Sequence, residues 1–154
     1  MNARRSIDLE EILALVSTWL ISRGDVSGVL LVGSRARGEA GPDSDVDLVV
    51  LCDSPSAYWA DLAWPGSLPW PEIGLGVEST RDEDYGLLWS RRVLLSSELE
   101  IEFGFVAEQW AKTDPIDGGT LRVVSAGHRI VYDRDGMLRR LSECAAAKGV
   151  ANRP

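Results

Sequence analysis

The sequence predicts a single mixed α/β unit, and three observations carry that prediction. Two strongly apolar runs, Val26 to Val32 and Asp45 to Leu51, flank the small-residue turn Gly33-Ser34. A second pair, Gly86 to Leu95 and Leu99 to Val106, is separated by a Ser96-Ser97 break. Helical periodicities stand near both ends of the chain. At 154 residues the length fits one domain, residues 1–154, with enough chain to bury a real core.

In chain order, Asp8 and Glu11 have the spacing of a capping box, and Ile12, Leu13, Leu15, Val16, Trp19 and Leu20 recur at helical intervals. Gly24 supplies the stop, which predicts a helix over residues 8–22. Val26 to Val32 reads as a strand buried on both faces, because its apolar residues are nearly continuous. Residues 34–38 allow only a turn or two of helix before the turn-rich loop 39–44. Asp45 to Leu51 is the second strand. Residues 53–80 are the least legible: Pro55, Pro65, Pro69 and Pro71 break any long periodicity, leaving one short helix near 56–63 and then irregular chain. Residues 86–95 and 99–106 read as two antiparallel strands joined by a short turn. A turn and short helix over 114–127 ends at Gly127, His128 to Tyr132 makes the last strand, and Asp135 to Ala147 makes a closing helix. Residues 148–154 are expected to fray.

Composition narrows the function. Hydrophobic residues at 45% and charged residues at 26% are those of an ordinary globular protein. No apolar run approaches the roughly 18 residues of a membrane span, and the N-terminus turns acidic before a signal-peptide core could form. The expected localisation is therefore cytoplasmic, with no membrane partner. A net charge of −8 argues against a nucleic-acid partner and suits a small or cationic one. Cys52 and Cys144 read as reduced. The single histidine, His128, stands at the start of an apolar run and reads as structural, which leaves Ser-His-Asp and Cys-His mechanisms without a base.

The chemistry concentrates in Gly33-Ser-Arg-Ala-Arg-Gly38 and Asp45-Val-Asp47. Side chains alternate along a strand, so Asp45 and Asp47 share one face while Val46, Leu48 and Val50 point to the core. Two carboxylates about 6–7 Å apart repel unless a cation lies between them. Mg²⁺ suits them, because it takes oxygen ligands from one or two carboxylates together with substrate phosphates. Gly33 lets backbone N–H groups approach an anion, the Ser34 hydroxyl adds a donor, and Arg35 and Arg37 can bring guanidinium groups to phosphate oxygens. A P-loop is excluded, since Glu39-Ala40 stands where Lys and Ser/Thr are needed, and the glycine pattern of a dinucleotide fold is incomplete.

Gly-Ser, a ten-residue spacer and Asp-x-Asp between two strands resemble the minimal nucleotidyltransferases of the DNA polymerase beta superfamily. The resemblance implies a mixed, mostly antiparallel sheet of about four to five strands with helices packed on one face. It also implies a third acidic residue on a later strand, flanked by apolar residues. Ile101-Glu102-Phe103 meets that demand, and Glu102 is preferred because Ile101, Phe103 and Phe105 bed its strand and Gly104 leaves space beside it. Glu100 shares the same face and is the runner-up; Glu98 reads as a solvated strand end.

By the same resemblance, Gly33, Ser34, Arg35 and Arg37 would bind the triphosphate of ATP or another NTP. Asp45, Asp47 and Glu102 would hold Mg²⁺, two ions in all, and a hydroxyl would attack the α-phosphorus and expel pyrophosphate. The acceptor stays open at this point: a small hydroxylated molecule, as for antibiotic-modifying relatives, or a protein such as a helical HEPN-like toxin paired with an antitoxin. A catalytically silent nucleotide-binding scaffold is the third alternative. Because the chain has room for only one closing helix, the acceptor side would be built by residues 53–80 or by a second subunit, giving a homodimer. Trp59, Trp64 and Trp70 in that segment suit core packing better than stacking on a base.

Overall fold

Val26–Val32 forms strand β1, buried along nearly its whole length as its continuous apolar run demands. A computed structural model describes residues 8–41, 44–86 and 88–151. Helix α1, Leu9–Ser22, precedes β1, and its Asp8 cap accepts from the Glu10 N–H. It turns out through Gly24, whose φ of +82° favours glycine. After the one-turn helix α2 (Ser34–Arg37) comes β2, Val46–Cys52. The proline-rich segment forms α3 (Pro55–Ala60) and two 3₁₀ turns, Trp64–Ser67 and Trp70–Ile73. Strands β3 (Val77–Asp84), β4 (Trp89–Leu95) and β5 (Glu100–Val106) follow. A 3₁₀ turn at Glu108–Ala111, helix α4 (Gly118–Ser125), strand β6 (Arg129–Asp133) and helix α5 (Met137–Ala151) complete the order.

The six strands make one sheet in the order β3-β4-β5-β2-β1-β6. Only β2 and β5, at its centre, run parallel; the other pairs are antiparallel. The fold is the expected mixed, mostly antiparallel α/β sheet, with two corrections. A sixth strand, β3, lies in the segment read as irregular chain. Its sequence, Val-Glu-Ser-Thr-Arg-Asp-Glu-Asp, is almost wholly exposed, so it carries no apolar alternation to betray it. It is an edge strand, and charges along an edge oppose further pairing.

The second correction concerns the helices, which cover both faces of the sheet. On one face α1 packs with Val29 and Leu31 of β1, Leu48 and Val50 of β2, and Phe103 and Phe105 of β5. Tyr58, Trp64 and Trp70 join that core, so two of the three tryptophans of residues 53–80 are packing residues, while Trp59 stays exposed. On the other face Leu30, Val49, Leu51 and Val106 meet Trp110, Val124, Leu138 and Leu141 from the C-terminal elements. A strand buried on both faces needs cover on both. Helix α5 also continues past Ala147 to Ala151; residues 152–154 lie outside the described residues. Among the described residues no helix is long and apolar enough to cross a membrane.

Arg91 anchors the proline-rich segment to the sheet. Its side chain is 1% exposed, with Nε 2.8 Å from Asp82 Oδ1 on β3. Its terminal nitrogens donate to the carbonyls of Tyr58, Trp59 and Asp61. A guanidinium satisfies this fan of acceptors because it offers five donors in one plane. Replacing it by Leu strands those carbonyls in a dry site. Arg91→Leu is expected to cost about 2–4 kcal/mol, read as a lower urea midpoint at unchanged slope.

Candidate active site

Strand β1 ends at Val32, and Gly33 then turns the chain at φ +76° into α2. The turn needs glycine twice. The positive φ disfavours any side chain, and an added Cβ would collide with the Asp47 carboxylate. The turn and the Asp-x-Asp strand are therefore in contact, which sequence spacing alone could only suggest. Ala36 and Arg37 donate back to the Gly33 carbonyl, closing the single turn of α2.

The two arginines of α2 part company. Arg35 lays Nε and Nη2 on the Ser44 carbonyl at 3.0 and 2.7 Å, and so holds the loop that leads into β2. Arg37 pairs with Glu39 at 3.1 Å and lies close enough to Asp47 to favour its ionised form. Ser34 opens α2 beside Gly33. Asp43, read from sequence as a turn former, lies outside the described residues.

The carboxylates converge across three strands. Asp47 on β2 stands directly opposite Glu102 on β5, and Glu102 stands opposite Arg92 on β4. Asp45 precedes β2 and is 43% exposed in its side chain, against 17% for Glu102. Arg92 lies among the acids: 2.7 Å from Glu102 Oε2, 3.1 Å from Glu100 Oε1, 3.1 Å from Glu83 Oε1 and 3.5 Å from Asp45 Oδ2. Despite its short distance to Arg92, the buried Glu102 Oε2 receives no hydrogen bond of good geometry. Burial, and then the neighbouring Asp45, push the Asp47 carboxyl above its ordinary value. Burial chiefly, against the pull of Arg92, does the same to Glu102.

Side chains alternate along β4, so only one of Arg91 and Arg92 can face the acids, and the register makes it Arg92. Glu83 was missed with β3 itself. Glu100 is held by Arg92 and by Arg81 at 3.7 Å, toward the sheet edge, whereas Glu102 faces Asp47. His128 is structural: its ring nitrogens lie 2.8 Å from the Val124 carbonyl and 2.7 Å from Ser142 Oγ. Cys52 and Cys144 are free thiols.

A hard divalent cation fits this donor set in kind. It is all oxygen, it gathers like charges at the centre of a sheet, and one buried oxygen, Glu102 Oε2, is ion-paired without a well-formed hydrogen bond. Among the described residues no three acids converge closely enough to hold an ion as they stand. Arg92 lies between them and supplies the positive charge instead.

The raised carboxyl of Asp47 has a consequence for stability. The folded protein holds that proton more tightly than the unfolded chain, so its contribution is full below the ordinary carboxylate value. It is lost as pH rises through the raised value. In metal-free buffer at neutral pH, Asp47→Asn should therefore melt higher than the parent, by about 2–4 °C for a change on the order of 1 kcal/mol. Scanning calorimetry should show the gain fading as the pH falls through the raised value and Asp47 takes up its proton.

Residues 13–113 match the nucleotidyltransferase domain family. That span contains Gly33, Ser34, Asp45, Asp47, Arg92 and Glu102. No curated protein matches the chain. Among solved structures, a nucleotidyltransferase-like protein from Exiguobacterium sibiricum aligns over 90% of this chain and 39% of its own, at 16% identity and a TM-score of 0.47. The Cid1 poly(U) polymerase aligns over 65% of this chain and 32% of its own, at 18% identity and a TM-score of 0.42. The chain thus spans well under half the length of either structure. With most of its residues inside the matched span, the chain belongs to the nucleotidyltransferase domain family.

Proposed function

We propose that the protein moves a nucleoside monophosphate, AMP from ATP in the first instance, onto an acceptor hydroxyl with release of pyrophosphate. The observation that best supports this reading is the direct opposition of Asp47 and Glu102 on the central parallel strands, beside the Gly33 turn. Asp45, Asp47 and Glu102 would hold Mg²⁺, which when bound neutralises phosphate charge and polarises the α-phosphoryl group.

The chain's own residues do the rest. The Gly33 turn and the Ser34 hydroxyl receive phosphate oxygens, with Arg37 close by. Arg35 acts one step back, because its guanidinium is committed to the Ser44 carbonyl that positions the start of β2. Glu102 accepts the proton of the acceptor hydroxyl. The freed oxygen bonds to the α-phosphorus, the bond to the bridging oxygen breaks, and pyrophosphate leaves with that electron pair. Burial suits Glu102 to this role, since a carboxylate with a raised pKa is the stronger base. Arg92 can exchange its carboxylate partners for phosphate oxygens as the substrate arrives.

The test is equilibrium dialysis with labelled ATP and Mg²⁺, followed by pyrophosphate release with a panel of hydroxylated acceptors. The parent should bind, and Asp45→Asn combined with Asp47→Asn should not, while remaining folded. Glu102→Gln should lower turnover by roughly 100-fold or more, and Glu100→Gln by far less. The reverse order would move the third carboxylate to Glu100. Absence of NTP binding by the parent would remove the proposal.

A further inference from the structure

The acidic face continues into a cleft that neither the family match nor the motifs account for. It encloses about 350 Å³ between the sheet and α4. Glu102 forms one wall, Val32 and Val49 the floor, and Leu88, Trp110 and Val123 the sides. Gly104, next on the Glu102 face, keeps the floor low, and Leu88 lies over it so closely that an added Cβ would come within 3.0 Å of Leu88 Cδ2. Tyr85 and Arg122 are the other polar groups on the lining. Arg122 makes no ion pair with a described residue, whereas the Glu102 carboxylate is paired with Arg92.

We propose that this cleft is the acceptor site, and that the acceptor is a compact, mainly apolar alcohol or phenol about one ring in size. The proposal rests on the nucleotidyl-transfer reading above. Three features of the cleft carry it. Its volume lies near the lower end of the roughly 300–1,000 Å³ of small-molecule sites, and its lining is largely apolar with a few polar groups, as such sites are. The only carboxylate on the lining is the one assigned to take the acceptor's proton. Its buried Oε2 lacks a well-formed hydrogen bond, and an acceptor O–H would supply one. Finally, Gly33, Ser34, Asp45 and Asp47 are not on the lining, which takes instead Val32 just before the Gly33 turn and Val49, the next residue on the Asp47 face.

The surplus of acids favours a cationic acceptor only where the acids line its seat, and Glu102 is the one carboxylate among the described residues on this lining. A polycationic sugar would meet valine, leucine and tryptophan side chains where it needs anions.

The experiment is ligand-observed NMR on the full chain with 4-ethylphenol and cyclohexylmethanol as probes. An aminoglycoside serves as the polycation, adenosine as the base, and N-acetyltyrosinamide as a phenol carried on protein chain. MgATP is followed by ³¹P in the same samples. The ring probes should bind and compete with each other, and should move the Trp110 indole N–H resonance of the parent. Val123→Trp, on the half-buried face of α4, should weaken them at least tenfold while MgATP binding stays within twofold. The Trp110 shift in the parent is a readout that does not depend on the folding of that variant.

Binding of N-acetyltyrosinamide as tightly as 4-ethylphenol would support the proposal and extend the phenol to a tyrosine side chain; its failure would support a free small molecule. Displacement of the ring probes by adenosine, tighter binding of the aminoglycoside, or ring-probe binding that leaves Trp110 unmoved would overturn the assignment. If MgATP binds and no ring probe does, this inference fails alone. If ring probes bind and MgATP does not, the nucleotidyl-transfer reading fails and the cleft stands without its role.

Discussion

Two carboxylates of like charge stand side by side on the two central strands of this protein. Asp47 and Glu102 are register partners in the one parallel pair of the sheet, so their separation is set by the backbone ladder and cannot relax by strand movement. Burial above all, and for Asp47 next the neighbouring Asp45, pushes both carboxyls above their ordinary values. The fold tolerates the arrangement because the opposite face of the same strands is tightly packed. Leu48, Val50, Phe103 and Phe105 are almost wholly buried there against α1 and the tryptophans of the proline-rich segment. One face of β2 and β5 supplies stability, and the other spends some of it on chemistry.

Arg92 is the counterpart of that constraint. Its guanidinium lies among Asp45, Glu83, Glu100 and Glu102, with Arg81 beside Glu83 and Glu100, and offsets part of their charge. Its planar fork can trade carboxylate for phosphate oxygens without moving its strand. Neighbouring Arg91, one residue earlier and on the opposite face, is spent on structure. Strand alternation thus gives two adjacent arginines of identical chemistry different tasks.

Much of the architecture was legible because it rests on local periodicity. The α1 cap at Asp8, the doubly buried β1, the Ser-Ser break before β5 and the Gly127 stop can each be read from residue type and spacing. β3 could not be: an exposed edge strand carries charges where a strand signal needs apolar alternation, and only its pairing with β4 makes it a strand. The placement of helices on both faces was equally hidden, since a helix sequence shows that it has an apolar stripe but not which side of a sheet it covers.

By itself, then, the sequence determined the motif: Gly33-Ser34, the ten-residue spacer and the paired aspartates, whose meaning depends on backbone freedom and on alternation along one strand. The tertiary structure decided which other groups stand near it: Glu102 is opposite Asp47 and paired with Arg92, Glu100 lies between Arg92 and Arg81, Arg35 holds the Ser44 carbonyl, and a largely apolar cleft opens beside Glu102. Each of these is a matter of register between strands distant in sequence, and register is set by the packing of the whole sheet, which local spacing does not encode.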